Sequence, residues 1–174
     1  MERLWAGWRS AYVSSGDGAA GVPVAGAEGG QGCVFCRIVA SPEPDLDKHV
    51  LWRHPGAGVV AILNAFPYTT GHLMVLPERH VADLEDLRPA ELAAVMEGAA
   101  AGCRALKAAY GPDGINLGAN LGAAAGAGVP GHLHLHVLPR WVGDTNFMTS
   151  VAEVRVLPEA LAATAGRLRD AWPR

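Results

Sequence analysis

A strong charge of either sign is missing from this sequence: the formal net charge is only −3 over 174 residues. So mild an imbalance gives no long-range field to hold nucleic acid or a membrane surface, and neither partner is expected. It also leaves any polyanion to be bound locally, by backbone N–H groups and histidines. Cysteine is scarce too. Three cysteines, two of them in Cys33-Val34-Phe35-Cys36, do not build a disulfide framework and fit a reducing cytoplasm. No apolar run reads as a membrane span: residues 114–138 carry no formal charge, but Gly, Asn, Pro and His crowd them. Glu2 and Arg3 precede no apolar segment of the signal-peptide kind, so no leader is expected.

What is present is apolar mass, 50% of a chain long enough for one domain with a real core. Residues 1–13, with Trp5, Trp8 and Tyr12, read as an N-terminal arm that buries aromatic rings. Residues 14–32 are nearly all Gly, Ala, Ser, Val and Pro, a flexible linker or loop with no means of building a core. The folded domain is expected over 33–174. Strands are predicted at His49–His54, Gly58–Asn64, Gly71–Val81, Ile115–Leu121 and 131–141, with a short edge strand at Val154–Leu157. A long helix is predicted from Pro89 to Tyr110, its packing stripe formed by Leu92, Val95, Met96, Ala99, Ala100, Cys103, Leu106 and Lys107. A last helix should run from Pro158 through Ala171. Together these predict an α+β fold: about five mostly antiparallel strands with the long helix on one face.

The most informative stretch is His132-Leu133-His134-Leu135-His136-Val137-Leu138-Pro139. Alternation is the period of a strand, so the three imidazoles should leave one face and the leucines the other. At a strand rise of about 3.3 Å, His132 and His134 lie roughly 7 Å apart, and His132 and His136 roughly 13 Å. Two neighbours could share a metal ion at about 2 Å from each imidazole, but three on one straight strand could not. The spacing therefore divides them between at least two tasks.

Cys33 and Cys36 are half a zinc site or a redox pair. Redox C-x-x-C motifs open a helix after a strand, and this pair follows a linker, which favours metal; two reduced cysteines without metal remain the alternative. Gly122 to Gly131 formally contains G-x-G-x-x-G, yet it runs through Pro130 into a strand rather than into a helix. It is not a dinucleotide fingerprint. Close approach of backbone N–H groups to a phosphate fits its glycines better.

The histidine stretch resembles the signature of the histidine triad (HIT) nucleotide hydrolases and transferases. Cys33 to Cys36, Asn64-Ala-Phe-Pro-Tyr-Thr-Thr-Gly71-His72 and Pro77-Glu-Arg-His80 fall in family order. The run Arg140-Trp141-Val-Gly-Asp144-Thr-Asn146-Phe147, with Leu4-Trp5-Ala-Gly-Trp8-Arg9, is similar to the branch that includes bacterial diadenosine tetraphosphate phosphorylases. The resemblance implies a HIT-like fold, a homodimer, and a purine nucleotide or dinucleoside polyphosphate as ligand. It implies a structural zinc on Cys33, Cys36, His80 and His132, and nucleotide contacts at Asn64, on ribose hydroxyls, and at Asn120, Gly126, Ala127 and Gly128. His134 becomes the nucleophile, His136 a donor to phosphoryl oxygens, and His72 the support behind His136. Many family members carry Gly-Gln-Ser or Gly-Gln-Thr where this chain has Ala127-Gly128-Val129, so the side-chain contacts to the leaving group are lost while backbone donors survive.

The activity so implied is cleavage of a dinucleoside polyphosphate at the α-phosphate through a nucleotidyl-histidine, by phosphorolysis or hydrolysis. No catalytic metal is needed, although a polyphosphate can arrive with magnesium. A hydrolase of nucleoside phosphoramidates or other nucleotides is the enzyme alternative. A nucleotide-binding module without turnover is the alternative of another class, and the intact triad argues against it.

Overall fold

A computed structural model describes residues 32–144 and 159–173. The arm expected at 1–13, nearly all of the linker and the edge strand expected at Val154–Leu157 lie outside the described residues. Five strands, β1 (Val50–Arg53), β2 (Val59–Leu63), β3 (Leu73–Pro77), β4 (Gly114–Gly118) and β5 (Leu135–Arg140), form one sheet in the order β1-β2-β3-β5-β4. Every neighbouring pair is antiparallel. The described α-helices are α1 (Val34–Ala40), α2 (Pro89–Tyr110) and α3 (Leu161–Asp170). The expected α+β architecture is the one observed.

β2 and β3 are buried along their whole length. They read as continuous apolar runs because both faces of the sheet are covered. Val59, Ala61, Leu63, Leu73 and Val75 pack with Val95, Ala99 and Leu106 of α2. The alternate residues Val60, Ile62, Met74 and Leu76 pack with Cys33 and Phe35 on the α1 side. α1 thus sits on the face opposite the long helix.

α2 starts at Pro89, where a missing N–H costs nothing, and ends at Gly111 in the left-handed region (φ 56°). The Glu91 carboxylate accepts the Arg88 N–H at 2.9 Å and the Arg79 guanidinium at 2.8 and 3.0 Å. That ion pair, helped by the Arg88 amide, holds the Glu91 carboxyl down at about 2.

The buried stripe of α2 differs from the predicted one. Leu92 and Met96 are 43% and 50% exposed, and Ala100 and Lys107 also face out, while Ala94, Gly98, Ala101, Gly102 and Ala105 are buried. Close packing is the reason. A Cβ on Gly98 would come within 2.9 Å of Trp52 and Val75, so the helix backbone rests on the sheet where only hydrogen fits. Cys103 is half-buried against the core rather than within it.

Strand ends also differ, and the fourth strand stops at Gly118 rather than Leu121. The third strand stops at Pro77 rather than Val81, and the histidine strand begins at Leu135, after His132 and His134. Pro77 has no N–H to continue a ladder, and its carbonyl is taken by the His132 ring at 2.8 Å. The chains still run side by side, since Leu133 N–H reaches Val81 O at 2.7 Å.

Candidate functional site

Cys33 caps α1 in an extended conformation and Cys36 falls on the first turn, so both sulfurs face the same side. His80 follows β3 and His132 precedes β5, and the neighbouring ends of these strands bring the two rings together at 5.3 Å, nearly perpendicular. Cys33 Sγ lies 3.3 Å and Cys36 Sγ 3.6 Å from His132 Nδ1, and Cys36 Sγ lies 3.4 Å from His80 Nδ1. All four ligand atoms fall within 4.8 Å of one another. A tetrahedral zinc with bonds of roughly 2.3 Å to sulfur and 2.0 Å to nitrogen sets its S···N edges near 3.5 Å. The four residues fit that ion. His132 is also in the right tautomer: a carbonyl only accepts, so its Nε2–H donates to Pro77 O and leaves the Nδ1 lone pair facing the sulfurs. Burial lowers its pKa and keeps the ring neutral.

His134 and His136 make a second group, their ring centroids 4.9 Å apart. Their protons follow from their partners. His134 Nδ1 lies 2.7 Å from His132 O, which can only accept; Nδ1 therefore carries the proton and Nε2 has the lone pair. His72, fully buried, accepts the Tyr68 N–H on Nδ1 at 3.1 Å. Its Nε2–H must then donate to His136 Nδ1 at 2.8 Å, which puts the His136 proton on Nε2. The pair is set in opposite tautomers, a nucleophilic nitrogen beside an N–H donor. Burial lowers the pKa of His134. Burial, then any charge on His134, pushes His136 down to about 4. Both rings are neutral at pH 7.

Asn64 lies beside this relay rather than apart from it. Its Oδ1 accepts the Phe66 N–H at 3.0 Å, and its Nδ2 is 3.3 Å from His72 Nδ1. In the glycine loop, Gly122 and Gly126 take φ of 78° and 89° around a short turn at Ala123–Ala125. Two of the expected phosphate donors are turned inward: Gly126 N–H bonds Ala123 O at 2.9 Å, and Ala127 N–H reaches Gly122 O at 3.4 Å. Asn120 Nδ2 braces the same loop on Gly126 O at 3.4 Å. The compact turn satisfies its own amides, so of the three expected loop donors only Gly128 makes no such turn contact.

Two contributors escaped the sequence reading. Tyr68 supplies the N–H that sets the His72 tautomer, and its ring packs 4.7 Å from His72 and 6.2 Å from His136. Phe35, between the two cysteines, lies 5.4 Å from the His132 ring and 5.1 Å from the His134 ring. An aromatic inside a C-x-x-C pair was the visible signal for Phe35. Tyr68 gave none, because its contribution is a backbone amide.

A family model described as HIT domain matches residues 44–142. A curated relative named AP-4-A phosphorylase, from Mycobacterium tuberculosis, is 37% identical over 174 residues, covering 100% of this chain and 86% of the relative. An adenylylsulfatase of Arabidopsis thaliana is 34% identical over 108 residues, 62% of this chain and 52% of that one. Among solved structures, a Zn-bound histidine triad family protein from Mycobacterium smegmatis superposes with a TM-score of 0.64 at 32% identity, covering 80% of this chain and 91% of the other.

Proposed function

This chain belongs to the HIT domain family, and on that premise we propose that it cleaves dinucleoside polyphosphates of the diadenosine tetraphosphate type at the α-phosphate. The observation that carries the reading is the opposite tautomers of His134 and His136. His134 Nε2 attacks the α-phosphorus, and the bond from that phosphorus to the bridging oxygen breaks. His136 Nε2–H donates to the phosphoryl oxygens as their charge develops, with the Gly128 amide as a second donor. The product is a nucleotidyl-imidazole on His134, opened by water or by inorganic phosphate. Asn64, Asn120 and the segment Gly126-Ala127-Gly128 frame the nucleotide, and His72 holds His136 in its donor tautomer.

Cys33, Cys36, His80 and His132 hold a structural zinc in this reading. Bound there, the ion would tie the start of α1 to the ends of β3 and β5; its four protein ligands leave it no catalytic position. The protein acts as a homodimer in the cytoplasm. Among the described residues no helix is long and apolar enough to cross a membrane. The relative named AP-4-A phosphorylase, aligned over the whole chain, supports the choice of substrate. The apolar Ala127 and Val129 favour one second reading, a nucleotide hydrolase with a smaller or less charged leaving group.

Diadenosine tetraphosphate labelled in adenosine tests the proposal. Water opening the intermediate gives labelled AMP beside ATP, and phosphate gives labelled ADP beside ATP. A protein that yields neither, while binding the compound, would be a nucleotide-binding module instead.

A further inference from the structure

The cysteine–histidine cluster and the nucleophile share a peptide unit. His132 turns its ring to the cysteines, with Nδ1 3.3 and 3.6 Å from their sulfurs, while its main-chain carbonyl accepts the His134 Nδ1–H at 2.7 Å. The other half of that peptide unit is the Leu133 N–H, which bonds Val81 O at 2.7 Å. Val81 follows His80, whose Nδ1 lies 3.4 Å from Cys36 Sγ. The peptide that places the nucleophile's proton is thus hung between two members of the cluster, His132 directly and His80 through its neighbour.

The β-ladder ends short of this peptide. Pairing of β3 with β5 runs to Val75 opposite Leu135. Beyond it the two segments are joined by the Leu133–Val81 bond and by the His132 ring on Pro77 O at 2.8 Å. Phe35, buried between the two cysteines in sequence, lies 5.4 Å from the His132 ring and 5.1 Å from the His134 ring, so the cluster and the nucleophile also share a packing neighbour. Thiol–imidazole contacts are weak and bend easily, whereas tetrahedral bonds to a zinc ion fix both length and direction. We propose that His80 and His132 are positioning residues for the nucleophile: joined on a metal ion, they clamp the His132–Leu133 peptide, whose carbonyl holds the His134 ring with its proton on Nδ1 and its lone pair on Nε2. Filling of the site then governs turnover as well as folding. This rests on the reaction proposed above.

His80→Ala tests the clamp. It keeps Cys33, Cys36 and His132, enough to hold zinc with a water in the fourth place, but cuts the tie to Val81. Well below its melting temperature the variant should lose about 10²-fold in kcat on diadenosine tetraphosphate, the order of a misplacement of about 1 Å, with KM changed less than about two-fold. Long-range nitrogen NMR should show the His134 proton shared between both ring nitrogens. His80→Cys restores a fourth ligand and should recover both the tautomer and most of kcat; recovery of neither assigns the effect to the lost imidazole and overturns the clamp. A site that serves folding alone lowers the melting temperature of His80→Ala and leaves tautomer and kcat unchanged, which also overturns it. Should His80→Ala not fold, cadmium in place of zinc in the wild type reads the same link. The larger ion has longer bonds, so the His134 Nδ1–H proton shift, which follows the length of its hydrogen bond, should move; an unmoved shift refutes the proposal. If the zinc-loaded wild type turns over no diadenosine tetraphosphate, the proposed reaction fails, and the ring signals alone decide the clamp.

Discussion

Replacing His72 tests the tautomer relay directly. His72→Leu keeps similar bulk but removes the N–H that reaches His136 Nδ1 and the acceptor that receives the Tyr68 N–H. Each buried polar group so orphaned costs about 1–3 kcal/mol, and two of them together about 3 kcal/mol after relaxation. For a domain of this size each kcal/mol lowers the melting temperature by about 2–4 °C, so a fall of roughly 6–12 °C is expected. The catalytic effect is separate. Without its donor, His136 can shift its proton to Nδ1 and present a lone pair, not an N–H, to the phosphoryl oxygens. Loss of one such donor lowers kcat by about 10²–10³. His72→Gln can place an amide N–H where the ring Nε2–H stood and should retain most of the rate. Long-range nitrogen NMR on the His136 ring reads the tautomer itself, and steady-state assays read kcat. Leu and Gln variants with the same rate, or a His136 proton that stays on Nε2 in the Leu variant, would refute the reasoning. The pH profile adds a check. His136 is held near 4 by burial, below the ordinary histidine value of about 6.5, so the folded state binds fewer protons than the unfolded one between those values. Its contribution to stability is complete above pH 6.5 and is lost as pH falls towards 4.

His134→Asn should keep fold and nucleotide binding and lower turnover by several orders of magnitude, more than the about 10²–10³ of a lost donor. Rapid quench without acid should trap one labelled nucleotide per wild-type chain and none on the variant. Metal-replete protein should contain about one zinc per chain by elemental analysis, and chelation should lower its melting temperature sharply, because such binding is folding energy of up to about 10–16 kcal/mol in small domains. Gly98→Ala forces a Cβ to within 2.9 Å of Trp52 and Val75, so overpacking of about 1–3 kcal/mol outweighs a helix-propensity gain of about 1 kcal/mol. Gly166→Ala, with nothing within 4 Å of the added carbon, should stabilise by about 0.5–1 kcal/mol in denaturant unfolding.

The sequence by itself determined the architecture, because the signals for it are local. The apolar runs at 59–63 and 73–77 are long enough only for strands, and Pro89 and Gly111 bracket the long helix at the residues observed. The alternation of His132, His134 and His136 with leucine likewise announced that the rings cannot all meet at one point, and the structure puts His132 with the cysteines and His134 with His136. Tertiary structure alone decided the rest. Which side of α2 is buried depends on how near the helix lies to Trp52 and Val75, so small residues displaced the larger stripe that periodicity suggested. Where the histidine strand begins depends on Pro77, distant in sequence, giving its carbonyl to a ring instead of to the ladder. Two of the three imidazoles take their proton placement from another segment: His132 from Pro77, and His136 from His72, itself set by the Tyr68 amide. A neutral imidazole can carry its proton on either ring nitrogen until a neighbour that can only donate or only accept removes one choice, and for His132 and His136 folding supplies that neighbour.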